Sequence, residues 1–66
     1  MKYIIVHIFK NGIEKYVTHH QLENGTWRSE NIQDARRFET RDQAEWFVKN
    51  KLNRYPINYR IEQINI

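Results

Sequence analysis

The residues of this chain that could do chemistry are three histidines, a few hydroxyl side chains and scattered acids. His19 and His20 are adjacent, so in a strand their side chains point to opposite faces. His7 and His20 share a face of the predicted sheet, but the expected register separates them by about four residues, on the order of 13 Å. Because metal ligands must converge on one ion, this spacing predicts ordinary strand histidines and no metal site.

Covalent catalysis has little support in the sequence. The chain contains no cysteine. Thr40 is better explained as a helix cap, and Ser29, expected opposite His20, lacks an acid that would orient the imidazole as a catalytic triad requires. Both glycines belong to expected turns, which leaves no phosphate-binding loop. The sequence therefore predicts a protein that is not an enzyme and has no cofactor.

The elements that would position these residues form one small α+β domain over residues 1–66. Runs rich in β-branched and aromatic residues indicate strands, and Asn11-Gly12 and Asn24-Gly25 are strong hairpin signals. Segment 31–37 fits either a short helical turn or a ragged strand end. The prediction is an antiparallel sheet, a β-meander plus a C-terminal strand, packed on one α-helix in the order βββαβ. Its strands are expected at 2–9, 13–22, 26–31 and 57–65, and its helix at 41–53.

The helix has a clear beginning and a clear end. Thr40 followed by Gln43 forms a capping box, and Pro56 ends the helix because the residue before proline avoids the helical region. Its apolar stripe has the spacing of a core-facing side. The stripe consists of Ala44, Phe47, Val48, Leu52 and Tyr55. In the last strand the apolar alternation slips near Glu62-Gln63, which predicts a β-bulge.

Two-residue turns would fix the pairing of the strands, with Val6 opposite Val17 and His7 opposite Tyr16 in the first hairpin. In the second hairpin Val17 would lie opposite Ile32. One face of the sheet then carries Ile4, Val6, Ile8, Ile13, Val17 and Ile32. The other carries Tyr3, Ile5, Phe9, Tyr16, Leu22 and Trp27, together with His7 and His20. We assign the helix to the aliphatic face. The aromatic face is then left without an internal cover, which predicts an interaction site there. The alternatives are that segment 31–39 folds across it, or that its aromatic side chains pack side by side in solvent.

Trp46 is a second candidate for partner binding. At about 100° per residue it lies ~200° from Ala44, on the side of the helix opposite the apolar stripe. An exposed tryptophan among charged neighbours is typical of a binding hot spot, although it could also lie against a loop. The predicted partner-binding residues are Tyr3, His7, Phe9, Tyr16, His20, Trp27, Trp46 and Lys49.

Charge and composition limit the partners. The net charge of +3 and isoelectric point near 9.5 permit contact with nucleic acid or an acidic protein and argue against a DNA mimic. The basic residues do not concentrate on the aromatic face. The absence of cysteine, of a signal peptide and of an apolar run of about 20 residues leads us to expect a cytoplasmic protein without a membrane partner.

Part of the chain resembles a known group of proteins. The stretch Trp27-Arg28-Ser29, then Ala35-Arg36-Arg37-Phe38-Glu39-Thr40 and Ala44, then the strand Tyr59-Arg60-Ile61-Glu62-Gln63-Ile64, is similar to small accessory proteins of bacteriophages and mobile elements of low-GC Gram-positive bacteria. The similarity covers roughly residues 27–64. It implies a short protein that binds and blocks a host factor, as anti-defence and anti-CRISPR inhibitors do, and it implies no catalytic residues.

These observations lead to one functional hypothesis and two alternatives. The hypothesis is a phage-encoded, non-enzymatic inhibitor that binds a host protein in the host cytosol and forms a homodimer through the aromatic sheet face. The alternatives are a nucleic-acid-binding module and an oligomer that sequesters a small nucleotide between basic and aromatic residues.

Overall fold

The architecture comes from a computed structural model that describes residues 1–18, 27–52 and 57–65. It contains strands β1 (Lys2–Ile8), β2 (Glu14–Val17), β3 (Arg28–Ser29) and β4 (Asn58–Ile64), a 3-10 turn at Ile32–Asp34, and helix α1 (Arg41–Lys51). The strands form one antiparallel sheet in the order β3-β2-β1-β4. The predicted α+β fold in βββαβ order is confirmed. The second Asn-Gly turn, His19, His20, Leu22, Tyr55 and Pro56 lie outside the described residues.

The first hairpin corrects the predicted register by one residue. Val6 pairs with Tyr16, not with Val17, because the loop has three residues, Lys10 to Gly12. The amide of Gly12 donates to the carbonyl of Phe9 at 2.9 Å, and the amide of Phe9 donates to the carbonyl of Ile13 at 2.8 Å. Of the three loop residues, only Gly12 has a positive φ, at 85°. This is the pattern of a three-residue loop with a left-handed glycine, not of a two-residue type I′ turn.

The side chain of Asn11 explains why this loop is longer than predicted. Its Oδ1 accepts a hydrogen bond from the amide of Ile13 at 3.1 Å. Asn11 therefore contributes a local side-chain bond and keeps a negative φ, whereas a type I′ turn would require positive φ at both central residues.

The second hairpin also differs from the prediction. Val17 pairs with Arg28 and Tyr16 pairs with Ser29, so the predicted pairing of Val17 with Ile32 and of Ser29 with His20 is wrong. Strand β3 has only two residues. Ile32 lies in the 3-10 turn and is exposed. Of the two structures predicted for segment 31–37, the short helical turn is therefore the one observed.

The one-residue change in register reverses which sheet face the helix covers. A slip of one residue moves every side chain of a strand to the other face, so Ile5, not Val6, lies on the side of Val17. The helix packs on this face, and the predicted assignment of the helix to the face of Ile4 and Val6 is wrong. The core cluster consists of Ile5, Val17, Phe38, Ala44, Val48 and Ile61.

The sheet face away from the helix carries Ile4, Val6 and Tyr16, and Arg60 of β4 lies on the same face. Ile4 and Val6 are fully buried. Arg60, which pairs with Val6, donates from Nε to Glu62 at 2.7 Å and from a terminal nitrogen to Glu14 at 2.6 Å. The arginine thus reaches from β4 across β1 to an acid of β2, and its aliphatic stem can shield the apolar residues beneath it.

Segment 35–38 lies between the end of β2 and the start of β1. Tyr3 and Phe38 exchange two backbone hydrogen bonds of 2.9 and 2.8 Å, and the amide of Arg36 donates to the carbonyl of Val17 at 2.8 Å. Thr18 and Ala35 form an isolated bridge. The chain is therefore held from both sides immediately before the helix begins.

The helix begins as the sequence predicts. Thr40 Oγ1 accepts from the amide of Gln43 at 3.1 Å, and Gln43 Oε1 accepts from the amide of Glu39 at 3.0 Å. Of the predicted stripe, Ala44 and Val48 are buried, and Phe47 and Leu52 pack against the core. The predicted bulge in the last strand is wrong, because β4 pairs with β1 without interruption from Lys2–Ile64 to Ile8–Asn58. Apolar side chains on both faces of β4 account for the break in its alternation.

Candidate functional site: a groove beside Trp46

The N-terminal half of α1 and segment 36–38 enclose a surface groove of about 430 Å³. We call it the Trp46 groove, and it is lined by Arg36, Phe38, Asp42, Gln43, Trp46 and Phe47. Both walls are fixed in place, one by the capped helix and the other by the backbone bonds of Arg36 and Phe38 to the two central strands. The groove is therefore preformed in the folded chain.

Trp46 is the most exposed aromatic residue of the described chain, with 56% of its surface accessible. The helical period places it on the outer side, as the sequence predicts. Its backbone carbonyl accepts a hydrogen bond of 2.8 Å from the side chain of Asn50, and Lys51 Nζ lies 5.9 Å from the centre of its ring. The indole is thus available to solvent and has a cation over its ring.

The opposite wall of the groove is an arginine held over two aromatic rings. The Arg36 guanidinium carbon lies 4.8 Å from the ring centre of Phe47 and 5.4 Å from that of Phe38. The two rings contact each other in a tilted arrangement with their centres 5.4 Å apart. Cation–π contacts of this kind position the guanidinium without using up its N–H donors.

A second, smaller cavity of about 240 Å³ adjoins the groove through Phe47. Its lining consists of Val17, Thr18, Trp27, Arg28, Phe47, Lys51 and Leu52. Trp27 is 48% exposed there. Two accessible tryptophans therefore lie along one surface, with Phe47 between the two cavities.

Among the described residues, the ion pairs involve side chains outside the groove lining. Lys2 pairs with Glu39, and Arg60 pairs with Glu14 and Glu62. Within residues 1–18, 27–52 and 57–65, Arg36 and Lys51 belong to no ion pair. These two cations contact aromatic rings of the groove instead.

The hairpin end of the sheet carries a separate cluster. Arg28 Nε donates to His7 Nδ1 at 3.0 Å, and the imidazole stacks on Phe9 with ring centres 4.1 Å apart. Lys15 and Tyr59 flank His7 on the neighbouring strands. Burial, and to a smaller degree the positive charge of Arg28, lowers the pKa of His7. The neutral imidazole is thus the form that accepts from the guanidinium.

This arrangement predicts a pH-dependent stability. The pKa of His7 is lower in the folded chain than in the unfolded chain, so its contribution is complete above about pH 6.5, the ordinary histidine value, and is lost as the pH falls from there through the folded pKa. Urea unfolding between pH 7.5 and pH 5 should show a smaller decrease in the free energy of unfolding for His7→Gln than for the wild type. His19 and His20 are common to both proteins and cancel in the comparison. Parallel pH profiles would contradict this role of His7.

The predicted partner-binding residues of the sheet do not form one face. Tyr3 packs against the core under the helix, and His7 and Phe9 stack at the hairpin end. Tyr16 lies on the opposite face beside Val6. Trp27 precedes β3 and lines the smaller cavity, while His20 is outside the described residues. The predicted aromatic face is therefore wrong for Tyr16, which the three-residue loop moves to the other face. The prediction that the helix leaves this face uncovered is also wrong, because α1 packs on the side of the sheet that carries Tyr3.

On the helix, Trp46 and Lys49 are both exposed, and Trp46 lines the groove whereas Lys49 is not part of its lining. Sequence reasoning missed Arg36 and Phe38 as its partners. The one local signal is their position immediately before the capped helix. In an extended segment every second side chain lies on the same side, so Arg36 and Phe38 are expected to share a side.

No protein family, curated protein or solved structure matches this chain. Within the described ranges, α1 is too short and too polar to cross a membrane.

Proposed function

We propose that this protein is a non-enzymatic binding module that holds a partner protein in the Trp46 groove. The observation that carries the proposal is the 56% exposure of Trp46 beside a preformed groove. Tryptophan is enriched at the centres of protein interfaces because it buries a large area with few rotatable bonds. Leaving it exposed in the free chain is understandable if a partner covers it.

The fixed walls of the groove support binding of a partner without rearrangement. Segment 35–38 is held by backbone bonds to Tyr3 and Val17, and α1 is capped by Thr40. A site that is already ordered loses less conformational entropy when a partner binds.

The polar groups that line the groove are Arg36, Asp42 and Gln43. This set lacks the hydroxyl or thiol nucleophile paired with a base that covalent catalysis requires. Across the described residues, no three His, Asp or Glu side chains form a group able to hold a metal ion.

The resemblance to phage accessory proteins supports a more specific proposal, in which the partner is a host protein that this chain inhibits. The homodimer predicted from the sequence remains a prediction. It no longer has the support of an uncovered sheet face, since Ile4 and Val6 are buried within the chain.

The test is a pull-down from a lysate of a low-GC Gram-positive bacterium, followed by titration of the captured protein. Trp46→Ala is expected to weaken its binding by about 2 kcal/mol or more while the circular dichroism spectrum stays unchanged. Ile32→Ala, which truncates another exposed apolar side chain away from the groove, is the matched control and should bind like the wild type. Equal binding by Trp46→Ala and the wild type would refute the proposal.

A nucleic-acid-binding module is the second candidate, because Trp27, Arg28 and Lys51 line the adjoining cavity. Exposed aromatic rings next to cations are typical of single-strand binding surfaces. The probe is a twelve-nucleotide oligothymidine measured at two salt concentrations. Tight binding that falls steeply with salt and requires Trp27 would favour this candidate over the first.

A further inference from the structure

We infer that the Trp46 groove takes an acidic segment of the partner protein, with a carboxylate on Arg36 and a neighbouring apolar side chain against Trp46. This inference rests on the proposed function and names the chemistry of the partner.

The argument begins with Arg36. Its guanidinium lies over Phe47 and Phe38, so the rings occupy one face of the group. Its N–H donors lie in the plane of the guanidinium and point away from its central carbon. Within the described ranges, no acid pairs with Arg36. A planar fork of donors beside an apolar floor is suited to a carboxylate bound through two parallel hydrogen bonds.

The same groove offers a place for an apolar side chain. Phe38 and Phe47 form its floor, and Trp46 is the exposed wall opposite Arg36. A volume of about 430 Å³ is in the range of pockets that enclose a small ligand, so it accommodates one bulky side chain and its neighbouring carboxylate.

Other charges along the surface define the polarity of the partner. Lys51 lies over the Trp46 ring and, like Arg36, pairs with no acid among the described residues. Lys49 is exposed nearby in the sequence. The groove lining itself carries one cation, Arg36, and one acid, Asp42, so Lys49 and Lys51 beside it supply the excess positive charge that complements an acidic partner.

Asp42 favours a peptide over a nucleic acid. A nucleic-acid strand gains its affinity from many phosphate contacts along a continuous basic track; Asp42 interrupts such a track, whereas a single partner carboxylate needs only Arg36. A protein segment of mixed character, acidic at one residue and apolar at the next, fits this lining.

The experiment is a selection of random twelve-residue peptides displayed against the immobilised protein. The wild type should enrich peptides that carry Asp or Glu next to a large apolar residue. Arg36→Glu should enrich basic peptides instead, whereas Arg37→Glu, the same charge change at the neighbouring exposed residue, should enrich the same peptides as the wild type. Enrichment that is indifferent to acidic residues, or unchanged by Arg36→Glu, would overturn the inference.

An enriched peptide then serves as a probe in fluorescence polarisation. Arg36→Ala should weaken its binding by about tenfold or more, in line with the loss of charge-assisted hydrogen bonds, and Arg37→Ala should change it less than about threefold. Arg36→Lys, which keeps the charge and loses the fork of donors, should give an intermediate loss and guards against a folding defect in the other variants. Two results would overturn the assignment of Arg36. One is equal binding by Arg36→Ala and the wild type, and the other is displacement of the peptide by the oligothymidine.

The two proposals fail in different ways. Peptides that require Trp46 but carry no acid would overturn the acidic segment and leave the binding groove in place. Enrichment that Trp46→Ala does not alter would overturn both.

Discussion

Replacing Ile5 with alanine is expected to lower the free energy of unfolding by about 2–5 kcal/mol, a large part of the stability of a domain of this size. Ile5 has no accessible surface, and it lies in the core with Val17 and Ile61 on the sheet face that the helix covers. Truncation would leave a cavity between the sheet and the helix, in addition to removing buried apolar surface.

The matched control for Ile5 is Ile13→Ala, the same chemical change at a side chain that is 50% exposed. It should cost less than about 1 kcal/mol, because little buried area is lost. Urea unfolding followed by tryptophan fluorescence measures both variants. Similar losses for the two would show that the sheet face of Ile5 is not the one that the helix covers, and would restore the two-residue turn expected from Asn11-Gly12.

Ala44→Asp is expected to have a still larger effect and to leave the chain largely unfolded at room temperature. Ala44 is completely buried where the helix packs on the core. A carboxylate there would lose its hydration without gaining a partner, at a cost of several kcal/mol. A 66-residue chain has little stability in reserve.

The control for Ala44 is Asn50→Asp, which adds the same carboxylate to an exposed position of the same helix. It should cost about 1 kcal/mol or less, since it loses the bond to the Trp46 carbonyl and places a negative charge near the helix C-terminus. Far-UV circular dichroism and the dispersion of amide NMR signals distinguish the two outcomes. A folded Ala44→Asp protein would contradict the assignment of Ala44 to the buried stripe.

The position of Trp46 illustrates how much of the candidate site local sequence patterns predict. A helix has a fixed period, so an apolar stripe that includes Ala44 and Val48 places Trp46 outward in any fold that buries the stripe. The other wall of the groove has no such signal. Arg36 and Phe38 line that wall because their backbone groups form hydrogen bonds with Val17 and Tyr3. These hydrogen bonds join parts of the chain that are distant in sequence.

The sequence by itself determined the elements whose signals are local. These are the strands and the helix in their order along the chain, the Thr40 cap, and the buried and exposed sides of the helix. Tertiary structure decided the face of the sheet that the helix covers. Asn11-Gly12 is compatible with a two-residue or a three-residue loop, and both faces of β1 are apolar, so hydrophobic alternation did not select between two registers one residue apart. The choice depended on packing across the whole chain, in which Ile5 meets Ala44 and Val48 while Arg60 joins Glu14 and Glu62 on the opposite face.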